Sequence, residues 1–216
     1  MGTKTVIWGA GGHALVVADA FRSLGEDIEG FIDTVNRVQE GARLDGLPVW
    51  GSLQEAICGC SHDHIEIALG FGNCAARGRL IQHLDGLGVD LRTVIHASAV
   101  VSPSAAIGRG VYIGPYAVVE AKCVIGDGVI LNASSSICHE CHVGEAVSVC
   151  PAVSAGGKTT IGEMSWIGIG STLIDKISVG ARSYVGAGSV VVNDLPGGVL
   201  AYGVPARVIR EMAAEF

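Results

Sequence analysis

From Ile95 to Val191, every sixth residue is aliphatic: Ile95, Val101, Ile107, Ile113, Val119, Ile125, Leu131, Ile137, Val143, Val149, Ala155, Ile161, Ile167, Leu173, Val179, Val185 and Val191. Only Ala155 falls outside Val, Ile and Leu. A helix repeats at about 3.6 residues and a strand at about 2, so an unbroken period of six belongs to neither. It is the period of a parallel β-helix built from hexapeptides. With the aliphatic residue as position one, position two is Gly at 108, 114, 126, 144, 156, 162, 168, 180 and 186 and Asn at 132. Such residues accept φ > 0, and the pattern predicts them at tight corners. Position three carries Pro103, Pro115 and Pro151, suited to a turn whose N–H is not needed by a ladder. Position five is mostly small or β-branched, including Ala117, Cys123, Cys141, Val147, Ser165 and Ser171. Positions one and five are predicted to face inward. Three hexads close one triangular coil, so residue i stacks on i+18, with coils roughly 4.8 Å apart.

The residues before the repeat follow another pattern. Thr5–Trp8 reads as a short buried strand, followed by Gly9-Ala10-Gly11-Gly12-His13 and an amphipathic helix from about Ala14 to Leu24. Asp27–Ile32 reads as a second strand with Asp33 at its tip. Strand, Gly-rich turn, helix and strand with a distal acid is a Rossmann-like βαβ arrangement in which backbone and a helix N-terminus can approach a phosphate. Residues 34 to 47 read as loop, Leu47–Trp50 as an edge strand, Leu53–Cys58 as a short helix, His64–Leu69 as a third strand and Cys74–Leu87 as a helix. This predicts a nucleotide-binding domain over 1–92, too short for two mononucleotide halves. A β-helix follows over 93–200, and a tail over 201–216 ends in a short helix.

Composition narrows the function classes. The net charge of −7 argues against a nucleic-acid partner. No apolar run reaches the length of a membrane span, and Val6–Trp8 is too short for a signal peptide; a cytoplasmic location is expected. The seven cysteines show no disulfide framework. Cys138-His139-Glu140-Cys141-His142 has the residue types of a zinc site, but the register sends Cys141 inward one coil above Cys123. Both are expected as small core residues, and no metal is expected. His139, at corner position three, points outward, and one coil above it is Gly157, which has no side chain. That leaves space beside the imidazole, with the Gly157 N–H available to an oxyanion. Glu140 stacks with Lys122, Lys158 and Lys176, so it is either the anion of a lysine ladder or the partner of His139. His142 is a second base candidate and Cys138 an alternative covalent route.

The GAGGHA turn, GLPVWGS, ALGFGN with a following Arg, the hexads, ICHECHVGE and the closing YGVPAR together resemble the two-domain hexapeptide-repeat sugar acyltransferases of bacterial glycan synthesis. The resemblance covers nearly the whole chain and implies a left-handed parallel β-helix. It also implies N-acetylation of a nucleotide-linked 4-amino-4,6-dideoxysugar by acetyl-CoA, with His139 as general base and Glu140 tuning it. By the same resemblance Gly11, Gly12 and His13 would lie near phosphates and sugar, Asp33 on the base, and Gly70, Asn73 and Arg77 along the pocket. Acetyl-CoA would lie near Ser148, Gly157, Ile169 and Ala187 between subunits of a homotrimer. UDP-sugar members commonly have two acidic residues where this chain has Asp33-Thr34; a single carboxylate gripping guanine favours GDP-perosamine. UDP-linked acceptors, O-acetylation of a free sugar such as sialic acid, and a non-enzymatic solenoid binding nucleotide sugar are the alternatives.

Overall fold

The computed structural model describes residues 4–60 and 64–212. In the N-terminal domain, β1 (Lys4–Trp8), α1 (Gly12–Ser23), β2 (Gly30–Ile32), β3 (Arg43–Leu44), β4 (Leu47–Trp50), α2 (Leu53–Cys60), β5 (Ile65–Leu69) and α3 (Cys74–Leu87) follow in order. The sheet order is β3-β4-β2-β1-β5, with β1 parallel to β2 and β5. The segment read as loop thus contains β3, which pairs antiparallel with β4 and takes the sheet edge from it. Asn73 caps α3 by accepting the Ala76 N–H at 2.8 Å, and Gly88 ends it in the left-handed conformation at φ 68°.

Two-residue strands then recur at every hexad, from β6 (Val94–Ile95) through β22 (Val190–Val191). Through Thr172–Leu173, each pairs in parallel with the strand 18 residues on, as in Val94↔Tyr112 and Val124↔His142. Three sheets result, one per face of the prism. Positions one and five fill its interior. Three hydroxyls at position five share one repeated bond, to the position-two carbonyl 15 residues on; Ser183 and Ser189 donate instead to Pro196 O and Gly186 O, and Ser135 Oγ has no partner among the described residues. Thr159, Ser165 and Ser171 donate to the carbonyls of Ile174, Gly180 and Gly186, each at 3.0 Å. Cys123 and Cys141 do the same toward Cys138 and Gly156 at 3.0 and 3.1 Å. Both thiols are therefore core donors, and burial pushes Cys141 up to about 11.

The corners work differently from the sequence expectation. Positive φ falls at position four of fourteen consecutive hexads, from Gly110 through Tyr116, Lys122, Glu140 and Lys158 to Gly188. The position-two glycines serve close approach instead. A Cβ on Gly162 would stand 2.4 Å from the backbone N of Ala181, and one on Gly144 2.6 Å from that of Glu163.

One prism face carries the N-terminal domain: Val94, Tyr112 and Ile130 share a core with Ile7, Ala14, Val17 and Phe21. The far end of that face closes with β23 (Val199–Gly203) and β24 (Ala206–Glu211), an antiparallel pair. The terminal helix expected in the tail is a strand as far as Glu211, because sheet pairing outweighs the helix propensity of Arg-Glu-Met. Residues 213–216 lie outside the described chain.

Candidate active site

His139 and Glu140 sit at one corner of the prism. The Glu140 backbone is left-handed at φ 59°, which turns its carboxylate back onto the preceding imidazole. His139 Nδ1 lies 3.1 Å from Glu140 Oε2. The hydrogen bond from His139 holds the Glu140 carboxyl below its usual range against some desolvation, helped by Lys158 and Lys122. An ionised carboxylate only accepts, so Nδ1 carries the proton in the neutral ring and Nε2 keeps its lone pair. Lys158 Nζ is 3.7 Å from the same Glu140 oxygen, so the histidine partnership and the lysine ladder coexist.

The imidazole stands in the space that a side chain at 157 would occupy: a Cβ there would lie 2.6 Å from Nε2. The glycine therefore seats the ring itself. The Gly157 N–H has no acceptor among the described residues, while Gly157 O accepts from Lys176 at 2.9 Å. The His139 N–H is fixed by Glu120 Oε2 at 2.9 Å. Nε2 and an unused N–H thus share one corner, the arrangement that general-base acyl transfer with an oxyanion donor would require. His142 is exposed on the adjoining strand with Val124 and Thr160 as its coil neighbours. Burial raises the Cys138 thiol pKa, with Glu120 adding to it, which disfavours a thiolate nucleophile. No group of three or more metal-ligating side chains occurs among the described residues.

A second feature is a cleft of about 480 Å³ at the strand ends of the N-terminal domain. It is lined by Gly11, Asp33 and Asn73, as expected, and also by Trp8, Asn36 and Phe71, which the sequence did not single out. The Asp33 carboxylate is already engaged: Oδ1 accepts the Val35 and Asn36 N–H groups at 2.9 and 3.0 Å, and Oδ2 accepts Asn36 Nδ2 at 2.8 Å. Burial works to raise its pKa, but these bonds hold it below the usual carboxylate value. A carboxylate offers about four acceptor sites, so the two-oxygen grip on guanine is not available in this arrangement.

Four expected pocket residues stand elsewhere. Gly12 is the first residue of α1. Gly70 is a packing glycine, since a Cβ there would meet Ile7 Cγ2 at 2.4 Å. Arg77 is fully buried between the domains and donates to the carbonyls of Phe71, Gly72, Gly128, Ala146 and Val147 and to Ser148 Oγ. It holds the pocket wall from behind. Ser148 is likewise buried on Arg77 and Cys74, so its side chain faces the domain junction and not an open cofactor groove. Of the other expected cofactor contacts, Gly157 adjoins His139, whereas Ile169 and Ala187 are exposed on a different corner. One chain does not bring these residues together.

His13 also faces the junction, edge-on to Tyr112 with ring centroids 5.2 Å apart. Its Nε2 and the Tyr112 hydroxyl are buried without partners among the described residues. Burial, reinforced by Arg77, lowers the His13 pKa to about 4. A histidine depressed in the folded state binds its proton more readily when unfolded, so it costs nothing well above the unfolded value and destabilises as pH falls toward 4. Between pH 7 and 5 the expected loss is about 2 kcal/mol. Urea unfolding at both pH values, with His13→Gln as comparison, checks this: the variant should lose less stability on acidification than the wild type, and an equal loss would show that His13 is protonated when folded.

Comparison with known proteins adds the following. The family described as the PglD N-terminal domain matches residues 4–84, and the bacterial transferase hexapeptide (six repeats) matches residues 158–193. A structure of PerB from Caulobacter crescentus in complex with CoA and GDP-perosamine is 36% identical, covering 95% of this chain and 96% of that one, with a TM-score of 0.87. The acetyltransferase domain of PglB from Neisseria gonorrhoeae, in complex with acetyl coenzyme A, is 36% identical over 96% of this chain and 100% of that one, TM-score 0.88. WeeI from Acinetobacter baumannii is 27% identical over 96% and 100%, TM-score 0.83. No curated protein sequence matches.

Proposed function

The chain belongs to the two-domain hexapeptide-repeat sugar acyltransferases, the acetyl-CoA-dependent sugar N-acetyltransferases of the PerB and PglB kind, and from that premise we propose that it acetylates the 4-amino group of a nucleotide-linked 4-amino-4,6-dideoxysugar, with GDP-perosamine the favoured acceptor. The observation that carries the reading is the His139–Glu140 pair seated under Gly157 at the β-helix corner. The neutral amine attacks the thioester carbonyl and forms the C–N bond. His139 Nε2 takes the amine proton, Glu140 steadies the imidazolium, and the Gly157 N–H faces the developing oxyanion. The C–S bond then breaks, and the imidazolium returns its proton to the departing CoA sulfur. No metal takes part in this route.

The N-terminal cleft is the acceptor site in this reading, with Trp8 and Phe71 offering apolar faces to a base. The preference for GDP rests on likeness to PerB and not on Asp33, whose oxygens are largely taken. A UDP-linked acceptor is therefore the second reading. A homotrimer completes the site: Gly157 lies at the His139 corner, while the exposed Ile169 and Ala187 of a neighbouring copy supply the other wall of the cofactor groove. The test is acetyl-CoA turnover with GDP-perosamine, a UDP-4-amino sugar and sialic acid, read by product mass. Acetylated GDP-perosamine as the main product supports the reading, and O-acetylated sialic acid would replace it. Light scattering that finds an active monomer would rule out shared sites.

A further inference from the structure

Among the described residues, Arg77 is the largest side chain with no exposure. Its acceptors come from both domains. Nη1 donates to Phe71 O at 3.1 Å and Gly72 O at 2.9 Å, the backbone of the loop whose Phe71 and Asn73 line the cleft. Nε donates to Gly128 O at 2.6 Å, and Nη2 to Ala146 O and Ser148 Oγ, each at 2.8 Å, all on the β-helix. Nη2 also meets Cys74 Sγ at 3.8 Å, and no carboxylate among the described residues pairs with the guanidinium. A guanidinium does not give up its proton in a protein, and a buried charge normally has a counter-ion. Here the guanidinium stands behind the Phe71–Gly72 wall of the cleft. Two helix N-termini open on that cleft as well, since Gly11 and Asn73, the residues that precede α1 and α3, both line it.

We propose that Arg77 is a positioning residue for the acceptor cleft, one that clamps the Phe71–Gly72 backbone to the β-helix and holds an uncompensated positive charge behind the cleft wall to favour the diphosphate of a nucleotide-linked ligand. The inference rests on the cleft being the nucleotide-sugar site. A purely structural clamp would affect nucleoside and nucleoside diphosphate alike; the charge affects only the diphosphate.

The experiment is calorimetric titration with GDP, UDP and guanosine. Arg77→Met, which keeps volume and removes charge, is expected to weaken the diphosphate on the order of tenfold more than guanosine, the worth of one partly screened charge. Ser148→Asp places a carboxylate where Oγ now meets Nη2; it neutralises the same charge with the clamp intact and should give the same selective loss, whether or not Arg77→Met folds. Arg77→Lys should keep the selectivity while melting lower. Equal losses for guanosine and diphosphate in the variants would overturn the inference and leave the cleft assignment standing. A wild-type protein that binds neither GDP nor UDP would overturn both.

Discussion

Replacing His139 with alanine will lower kcat by ~10²–10⁴, the usual worth of a positioned base, with much smaller changes in either KM. The amine must shed a proton on the way to the amide. Nε2 is the acceptor that the corner geometry leaves free, because Glu140 holds the proton on Nδ1 at 3.1 Å. The fold should survive, since more than half of the side chain is exposed and its loss removes little packing. His139→Asn is the sharper variant, because it retains a polar group under Gly157 without a base and should be as slow as alanine. Glu140→Gln should cost less than either, because it leaves the base in place and removes only the anion that steadies it. Steady-state kinetics at pH 7 and a thermal melt decide the matter. A His139→Ala enzyme that keeps more than a few tenths of wild-type kcat would shift the role to His142, exposed on the adjoining strand, or to an amine that needs no protein base.

The prism and its His139 corner were legible because a β-helix is nearly one-dimensional: register follows from counting, and counting put His139 beneath Gly157 and sent Cys141 inward. What counting could not supply was depth and partnership between segments far apart in sequence. The family resemblance implies Arg77 as a pocket residue, yet domain docking covers it completely and turns it to five carbonyls. Ser148 sits at an outward position, but the face it occupies is the one the N-terminal domain covers. Asp33 lines the cleft, while its local turn bonds to Val35 and Asn36 were not readable from its position. The position-two glycines were identified correctly and explained wrongly. Their φ is ordinary, and the left-handed corners are taken by Lys122, Glu140, Lys158 and their equivalents at position four.

That distinction predicts the largest effect on stability. Gly162→Ala introduces a methyl group whose carbon would stand 2.4 Å from the N and 2.7 Å from the Cα of Ala181, and 2.8 Å from the carbonyl carbon of Gly180. Real Cβ atoms do not approach so closely, and all three neighbours are backbone, which cannot rotate away as a side chain can. The coils would have to part at that corner, stretching the Gly162 N–H bond to Val179 O, now 2.8 Å. The expected cost is about 3 kcal/mol or more, the upper end of the overpacking range. Gly86→Ala is the control. Gly86 lies within α3, and a Cβ there meets nothing within 4 Å, so alanine should stabilise by ~0.5–1 kcal/mol through helix propensity. Urea midpoints of the two variants should therefore move in opposite directions. If Gly162→Ala unfolds with the wild type, the coil spacing at that corner is looser than the structure shows, and close approach is not why glycine occupies position two.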